Sequence, residues 1–309
     1  MMERQKTEVD SSLMASLTTE LRNPKSMEID ALSVQDILEL INNEDKLVAE
    51  AVAEEIGNIE IAVNYVVDSL RQGGRLIYAG AGTSGRLGIL DATEIPPTFS
   101  ADPNVVQGII AGGMDALVRS IEGAEDYPED GKRDIMEKNV SEKDVVFGIA
   151  TSGRTPYVLG VLEKAKELGA KTVFLSCNKI NEGNIAADVV IAPIVGAEVV
   201  TGSTRMKAGT ATKLVLNMVT TTAMIKLGKV YGNLMVDLKA VNNKLVDRAC
   251  RILGILTGIE SDAAEKLLTD AEMNLKIAIV MQLGELNREQ AIKKLDEVNG
   301  VVRNAVKLS

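Results

Sequence analysis

Five short apolar runs, Leu76–Ala79, Val105–Ala111, Val145–Ala150, Thr172–Ser176 and Val189–Pro193, alternate with segments of helical period. Two of them lead into the same tetrapeptide, Thr-Ser-Gly-Arg, at 83–86 and at 151–154. The runs are rich in β-branched residues and are bounded by glycine or polar residues, which is the signature of strands. A strand, a helix and a strand at this spacing make a βαβ unit. The pattern therefore predicts an α/β fold with a parallel sheet and helices on both faces. The clearest connecting helix is 156–168, with Thr155 placed to cap it, Pro156 at its first position and Gly169 just past its end.

The flanks read as helical. Ile37, Leu38, Leu40 and Ile41 fall at helical spacing after Ser33, a good N-cap, and a second helix stops at Gly73-Gly74. Two long helices are expected over 204–228 and 233–254, and "IESDAAEKLLTDAE", "NLKIAIVMQLG" and "NREQAIKKLDEVNG" read as three short ones. The expected division is an N-terminal helical segment 1–56, a sheet domain 57–240 and a C-terminal helical module 241–309.

Composition removes several function classes. A net charge of −10 disfavours nucleic acid and anionic membranes as partners. Aromatic residues make up 3%, with no Trp, so stacking platforms for single strands are not expected. The start "MMERQKTEVDSS" has no apolar h-region, and no apolar run nears a membrane span, so a cytoplasmic protein without a signal peptide is expected. The cysteines, Cys177 and Cys250, read as reduced thiols. The chain has no histidine. Proton transfer must then fall to carboxylates, Lys, Tyr or Cys.

"GAGTSG", 80–85, matches a dinucleotide fingerprint formally, but the next run ends "IIAGGM" without the acidic residue that would hold a ribose. The repeated turn has two other readings. Each Ser/Thr turn could be a helix cap with no ligand. Or the two could grip parts of one ligand, since a turn that opens a helix at the end of a parallel strand aims backbone N–H groups into a crevice. The repetition favours the second. Arg205, Lys207 and Lys213 either meet the ligand's charges or face solvent.

"RLIYAGAGTSGRLGILDATEIPPTF", "SIEGAED", "GIATSGRTPYVLG" and "PIVGAEVVTGSTRMKAGTATKLVLNM" resemble the N-acetylmuramic acid 6-phosphate etherases, a family of sugar isomerase (SIS) domain proteins. "RNPKSMEIDALS" and "INNEDKLV" resemble the family's N-terminal helices, and the last fifty residues its small helical module, similar to ubiquitin-associated (UBA) domains. The resemblance implies a SIS-type α/β/α sandwich with a five-stranded parallel sheet, and a homodimer. It implies no metal and no cofactor.

The implied reaction cleaves the D-lactyl ether of an amino-sugar 6-phosphate in cell-wall sugar recycling. By resemblance Glu94 protonates the leaving oxygen and Glu125 is the second catalytic carboxylate. Glu94 is expected just after the first turn's helix, which Pro96-Pro97 would end. Ser152, Gly153 and Thr155 would take the sugar phosphate, Thr83 and Ser84 would contribute from the first turn, and Glu198 would touch substrate. Many SIS domains carry serine where this chain has Ala150, which leaves the phosphate shell one hydroxyl short. Val215, Met218, Val219 and Met224 form the stripe expected between subunits. Two alternatives use the same fold. A phosphosugar isomerase commonly uses a histidine for ring opening, which this chain lacks. A non-catalytic sugar-phosphate sensor, like the glucokinase regulatory protein, is about twice as long and has two SIS domains.

Overall fold

The computed structural model describes residues 17–180, 183, 185–238 and 243–307. Strands β1 (Leu76–Gly80), β2 (Val106–Ile110), β3 (Val145–Ile149), β4 (Lys171–Leu175) and β5 (Val189–Ile191) form one sheet in the order β2-β1-β3-β4-β5. Every neighbouring pair is parallel. All five fall within or beside the apolar runs. Each residue of β1 and β3 is buried, as expected of strands covered on both faces. The register places Gly80, Ile110, Ile149, Leu175 and Ile191 in one row, the last rung of the carboxyl edge.

The helices of the sheet domain are α1 (Val34–Ala53), α2 (Ile56–Arg71), α3 (Gly82–Phe99), α4 (Pro128–Glu137), α5 (Pro156–Glu167) and α6 (Lys207–Lys226). Ser33 caps α1 by accepting the Asp36 N–H at 3.2 Å. Thr155 occupies the cap position of α5 but makes no side-chain capping bond. The Val158 N–H, which a capping hydroxyl would take, bonds the Thr155 carbonyl at 3.0 Å instead.

Two expectations about helix extent fail. Helix α3 does not stop at the prolines; Pro96 and Pro97 lie inside it. They cost it two N–H donors, but Ile95 and Phe99, 4% and 7% exposed, anchor the final turn by burial. The helix expected over 233–254 begins at Asn243. Before it stands a hairpin, β6 (Val230–Tyr231) and β7 (Leu234–Met235), closed by Gly232-Asn233 with Gly232 at φ 61°. A Gly-Asn pair is a two-residue hairpin signal, and here it prevails over helical period. Residues 239–242, and with them the boundary expected at 240/241, lie outside the described residues.

The chain forms two compact units. One comprises the described residues up to Glu94 with Pro103–Thr220, and the other Ile95–Asp102 with the described residues from Thr221 on. In the second, α7 (Asn243–Thr257), α8 (Ser261–Asp270), α9 (Leu275–Gly284), α10 (Arg288–Glu297) and α11 (Val302–Lys307) surround a core that includes Leu253, Leu268, Ile279 and Leu295. Asn274 caps α9, and Asn287 with Gln290 forms a capping box on α10. These helices bear out the three quoted segments; α11 is an addition. No helix among the described residues is long and apolar enough to cross a membrane.

The expected intersubunit stripe is not one. Val215, Val219 and Met224 are 0%, 0% and 1% exposed within the single chain, which leaves Met218 outward at 39%. Helix α6 is apolar because it is covered by its own chain.

Candidate functional site

Strand β1 pairs with β2 on one side and with β3 on the other, so the chain reverses its direction of travel across the sheet between β1 and β3. Open α/β sheets bind ligands outside the carboxyl ends of the strands at such a point. The strands that flank it are the two that lead into Thr-Ser-Gly-Arg. Gly80 and Ile149, the last residues of β1 and β3, are register partners. The repetition in the sequence therefore becomes adjacency in the fold.

The two copies have different conformations. In the first, Thr83, Ser84 and Gly85 are the opening turn of α3. A Cβ on Gly85 would lie 2.8 Å from the Gly80 carbonyl oxygen and against Ile110, so glycine lets the helix start descend onto the strand ends. In the second, residues 151–153 form a turn, and α5 starts only at Pro156. Gly153 has φ 77°, in the left-handed region. The Ser152 hydroxyl accepts the Arg154 N–H at 3.3 Å, which closes that turn. Ser84 is buried, while Thr83, Ser152 and Thr155 are half-buried. A Cβ on Gly209 would lie 3.6 Å from Thr83 Cγ2, so the start of α6 faces the first turn as well.

The arginines also differ. Arg86 donates from Nε to the Leu117 carbonyl and from Nη2 to the Arg119 carbonyl, both at 3.1 Å. It thereby holds the 111–125 loop against α3. The result is a cleft of about 120 Å³ lined by Gly82, Arg86, Arg119, Ser120, Glu122 and Glu125 among others. Glu125 is exposed at the rim of this cleft; the desolvation it meets there raises its carboxyl above the ordinary range, and the charges of Asp126 and Glu122 push it the same way. A carboxyl set in this way beside a helix N-terminus is suited to moving a proton.

Glu94 is not in that cleft. It is an exposed residue of α3, twelve positions beyond Gly82, which at the α-helical rise is about 18 Å along the axis. The helix runs back down the sheet: Gly85 lies against Gly80, Gly88 against Tyr78, and Ile89 against Gly108. Asp91, 3% exposed, fixes this run. It accepts from the Tyr78 hydroxyl at 3.1 Å, Lys213 Nζ at 2.7 Å and Thr220 Oγ1 at 2.9 Å.

Lys213 is thus paired with a carboxylate, and so is Lys207. Lys207 is 3% exposed and donates from Nζ to Glu44 at 2.8 Å. Glu44 also accepts from Lys25 and Asn23. Burial alone would raise the Glu44 pKa; the hydrogen bonds from Lys207, Lys25 and Asn23 outweigh it and hold the carboxyl at about 2. Glu198, 0% exposed, accepts the N–H of Lys207 and of Ala208 at 3.0 Å each, so both its oxygens cap α6. Arg205 is exposed.

Lys207→Met breaks the buried pair and is expected to cost about 3–5 kcal/mol at neutral pH. Glu44 has a depressed folded pKa, so its contribution is complete above the ordinary 4.5 and is lost as pH falls through about 2. The stability gap between wild type and variant should close over that window. Urea melts from pH 7 to pH 2 check this; a gap that does not depend on pH contradicts it.

Sequence reasoning passed over Arg86 and Asn178. Asn178, 1% exposed, joins three segments at the end of β4. Its only local sign was a polar "SCN" closing an apolar run.

The profile of the glucokinase regulatory protein N-terminal SIS domain matches residues 58–166. The N-acetylmuramic acid 6-phosphate etherase of Caldanaerobacter subterraneus subsp. tengcongensis is 53% identical over 295 residues, covering 96% of each chain. That of Clostridioides difficile is 53% identical over 294 residues, 95% of this chain and 97% of the other. That of Rhodopirellula baltica is 54% identical over 284 residues, 92% of this chain and 94% of the other. Among solved structures, the phosphoheptose isomerase of Neisseria gonorrhoeae superposes on 62% of this chain and 98% of its own, with 16% identity and a TM-score of 0.47. With half its residues shared along nearly its whole length, this chain belongs to the N-acetylmuramic acid 6-phosphate etherase family.

Proposed function

We propose that this protein is a carbon–oxygen lyase that cleaves the D-lactyl ether of N-acetylmuramic acid 6-phosphate, giving N-acetylglucosamine 6-phosphate and D-lactate. The observation that carries the reading is the cleft at the start of α3, beside the switch point, which Glu125 lines together with Gly82 and Arg86; the raised carboxyl of Glu125 agrees with it. With the sugar ring open, C1 is an aldehyde and the C2 proton is acidic. Glu125 takes that proton, the C2–C3 double bond forms and the C3–O bond breaks. Glu94 gives its proton to the departing lactate oxygen. Water then adds its oxygen to C3, and C2 regains a proton. In this reading Ser152, Gly153 and Thr155 hold the phosphate, Thr83 and Ser84 bind the sugar from the first turn, and Glu198 serves by fixing the start of α6.

The protein would work as a homodimer. Glu94 is exposed on α3, with Leu90, 45% exposed, one turn before it. An exposed apolar residue beside a catalytic carboxylate suits a second copy that covers both and removes the carboxylate from water.

Isotopes test the chemistry. In deuterium oxide the N-acetylglucosamine 6-phosphate should carry deuterium at C2. In heavy-oxygen water it should carry the label at the C3 hydroxyl, and the lactate should carry none. Displacement at the lactate carbon would put the oxygen label in lactate and leave C2 unlabelled, which would refute elimination.

A further inference from the structure

The turn that carries Ser152 is aimed from beneath by a buried asparagine and by the N-terminal segment. The Thr151 carbonyl receives the Cys177 N–H at 3.0 Å, the Asn178 Nδ2 at 2.9 Å and the Ser176 hydroxyl at 3.4 Å. These donors pull the oxygen of the 151–152 peptide inward. In a trans peptide the N–H points opposite to the C=O, so the Ser152 N–H is turned outward, toward the mouth between β1 and β3.

Asn178 is the adjustable member of that set. Its Oδ1 accepts the Thr18 hydroxyl at 2.7 Å and the Thr19 N–H at 3.4 Å. Its Nδ2 donates to Thr19 Oγ1 at 3.0 Å as well as to Thr151. Both amide ends are thus engaged, which fixes which end is the donor. Thr19 is 0% exposed, and its carbonyl in turn accepts the Gly202 N–H at 3.2 Å. The N-terminal segment is therefore wedged between the loops that follow β4 and β5, and Asn178 passes its position on to the turn.

We propose that Asn178, held by Thr18 and Thr19, is a positioning residue for phosphate recognition: it orients the Ser152 N–H toward the substrate's phosphate. The inference rests on the reading of 152–155 as the phosphate cradle. A misaimed donor to a charged group weakens ground state and transition state alike, so KM should change and kcat should not.

Asn178→Asp is nearly isosteric and keeps the acceptor for Thr18 and Thr19, but it sets an oxygen against the Thr151 carbonyl. It should raise KM and the inhibition constant of N-acetylglucosamine 6-phosphate about tenfold, the size of one hydrogen bond to a charged group. It should leave kcat, and inhibition by unphosphorylated N-acetylglucosamine, unchanged. Thr19→Val, which removes the outer acceptor, should act in the same sense more weakly, and it carries the test where Asn178→Asp yields no folded protein. An unchanged constant for the phosphosugar, or an equal loss for both sugars, overturns the proposal. Ser152→Ala with Thr155→Val separates the two ideas. If that variant loses phosphosugar affinity and Asn178→Asp does not, only the positioning role fails. If neither loses it, the cradle reading fails first.

Discussion

Glu94→Gln should slow lactate release by about 10²–10⁴-fold, the usual worth of one general acid. Glutamine keeps the shape of the side chain and removes the transferable proton. The ether oxygen would then have to leave as an alkoxide, which is a poor leaving group. The size of the loss should depend on that group. A 3-chloro analogue of the substrate expels chloride, which needs no proton, so the variant should recover most of its rate on it. Initial rates of both enzymes on both substrates give the comparison directly. If the variant is equally slow on the two, Glu94 is not the acid, and the exposed carboxylate on α3 needs another explanation.

The sheet was legible because its strands are buried on both faces. A β-branched run such as "VVFGI" has few other places to go, and the helix between β3 and β4 carries its own start signal in Pro156 and its stop signal in Gly169. Local signals failed where a stronger distant term opposed them. Pro96-Pro97 reads as a stop, yet buried Ile95 and Phe99 carry α3 past it. The hairpin at 230–235 has strands of two residues each, too short for a period to register beside the helical pattern that follows.

The site divides in the same way. The two Thr-Ser-Gly-Arg copies announce themselves, but identical letters cannot reveal that one glycine serves a close approach and the other a positive φ. Nor can they show that Arg86 spends its donors on a loop 31 and 33 positions away. The tie from Thr19 to Asn178 spans 159 positions and has no pattern of its own. The apolar residues of α6 looked like an interface because burial within one chain and burial between chains leave the same composition.

The second large effect concerns where the two carboxylates meet. Glu125 lies at the carboxyl edge of the sheet beside Gly82, while Glu94 is about 18 Å further along α3, toward the opposite edge. One sugar cannot lie within reach of both in a single chain. It can if a partner's α3 lies over the mouth of the cleft, which would also remove Glu94 from water. Glu94→Gln and Glu125→Gln should each be nearly inactive alone, and the second should also lose exchange of the C2 proton in deuterium oxide. Unfolded together and refolded as a mixture, half of the dimers would pair one variant with the other. In such a dimer one site carries both glutamines and the other carries Glu125 from one chain and Glu94 from its partner. Activity should return to roughly a quarter of wild type, as two-fold symmetry with random pairing requires. Carboxylates that act within one chain would leave the mixture as inactive as its parts.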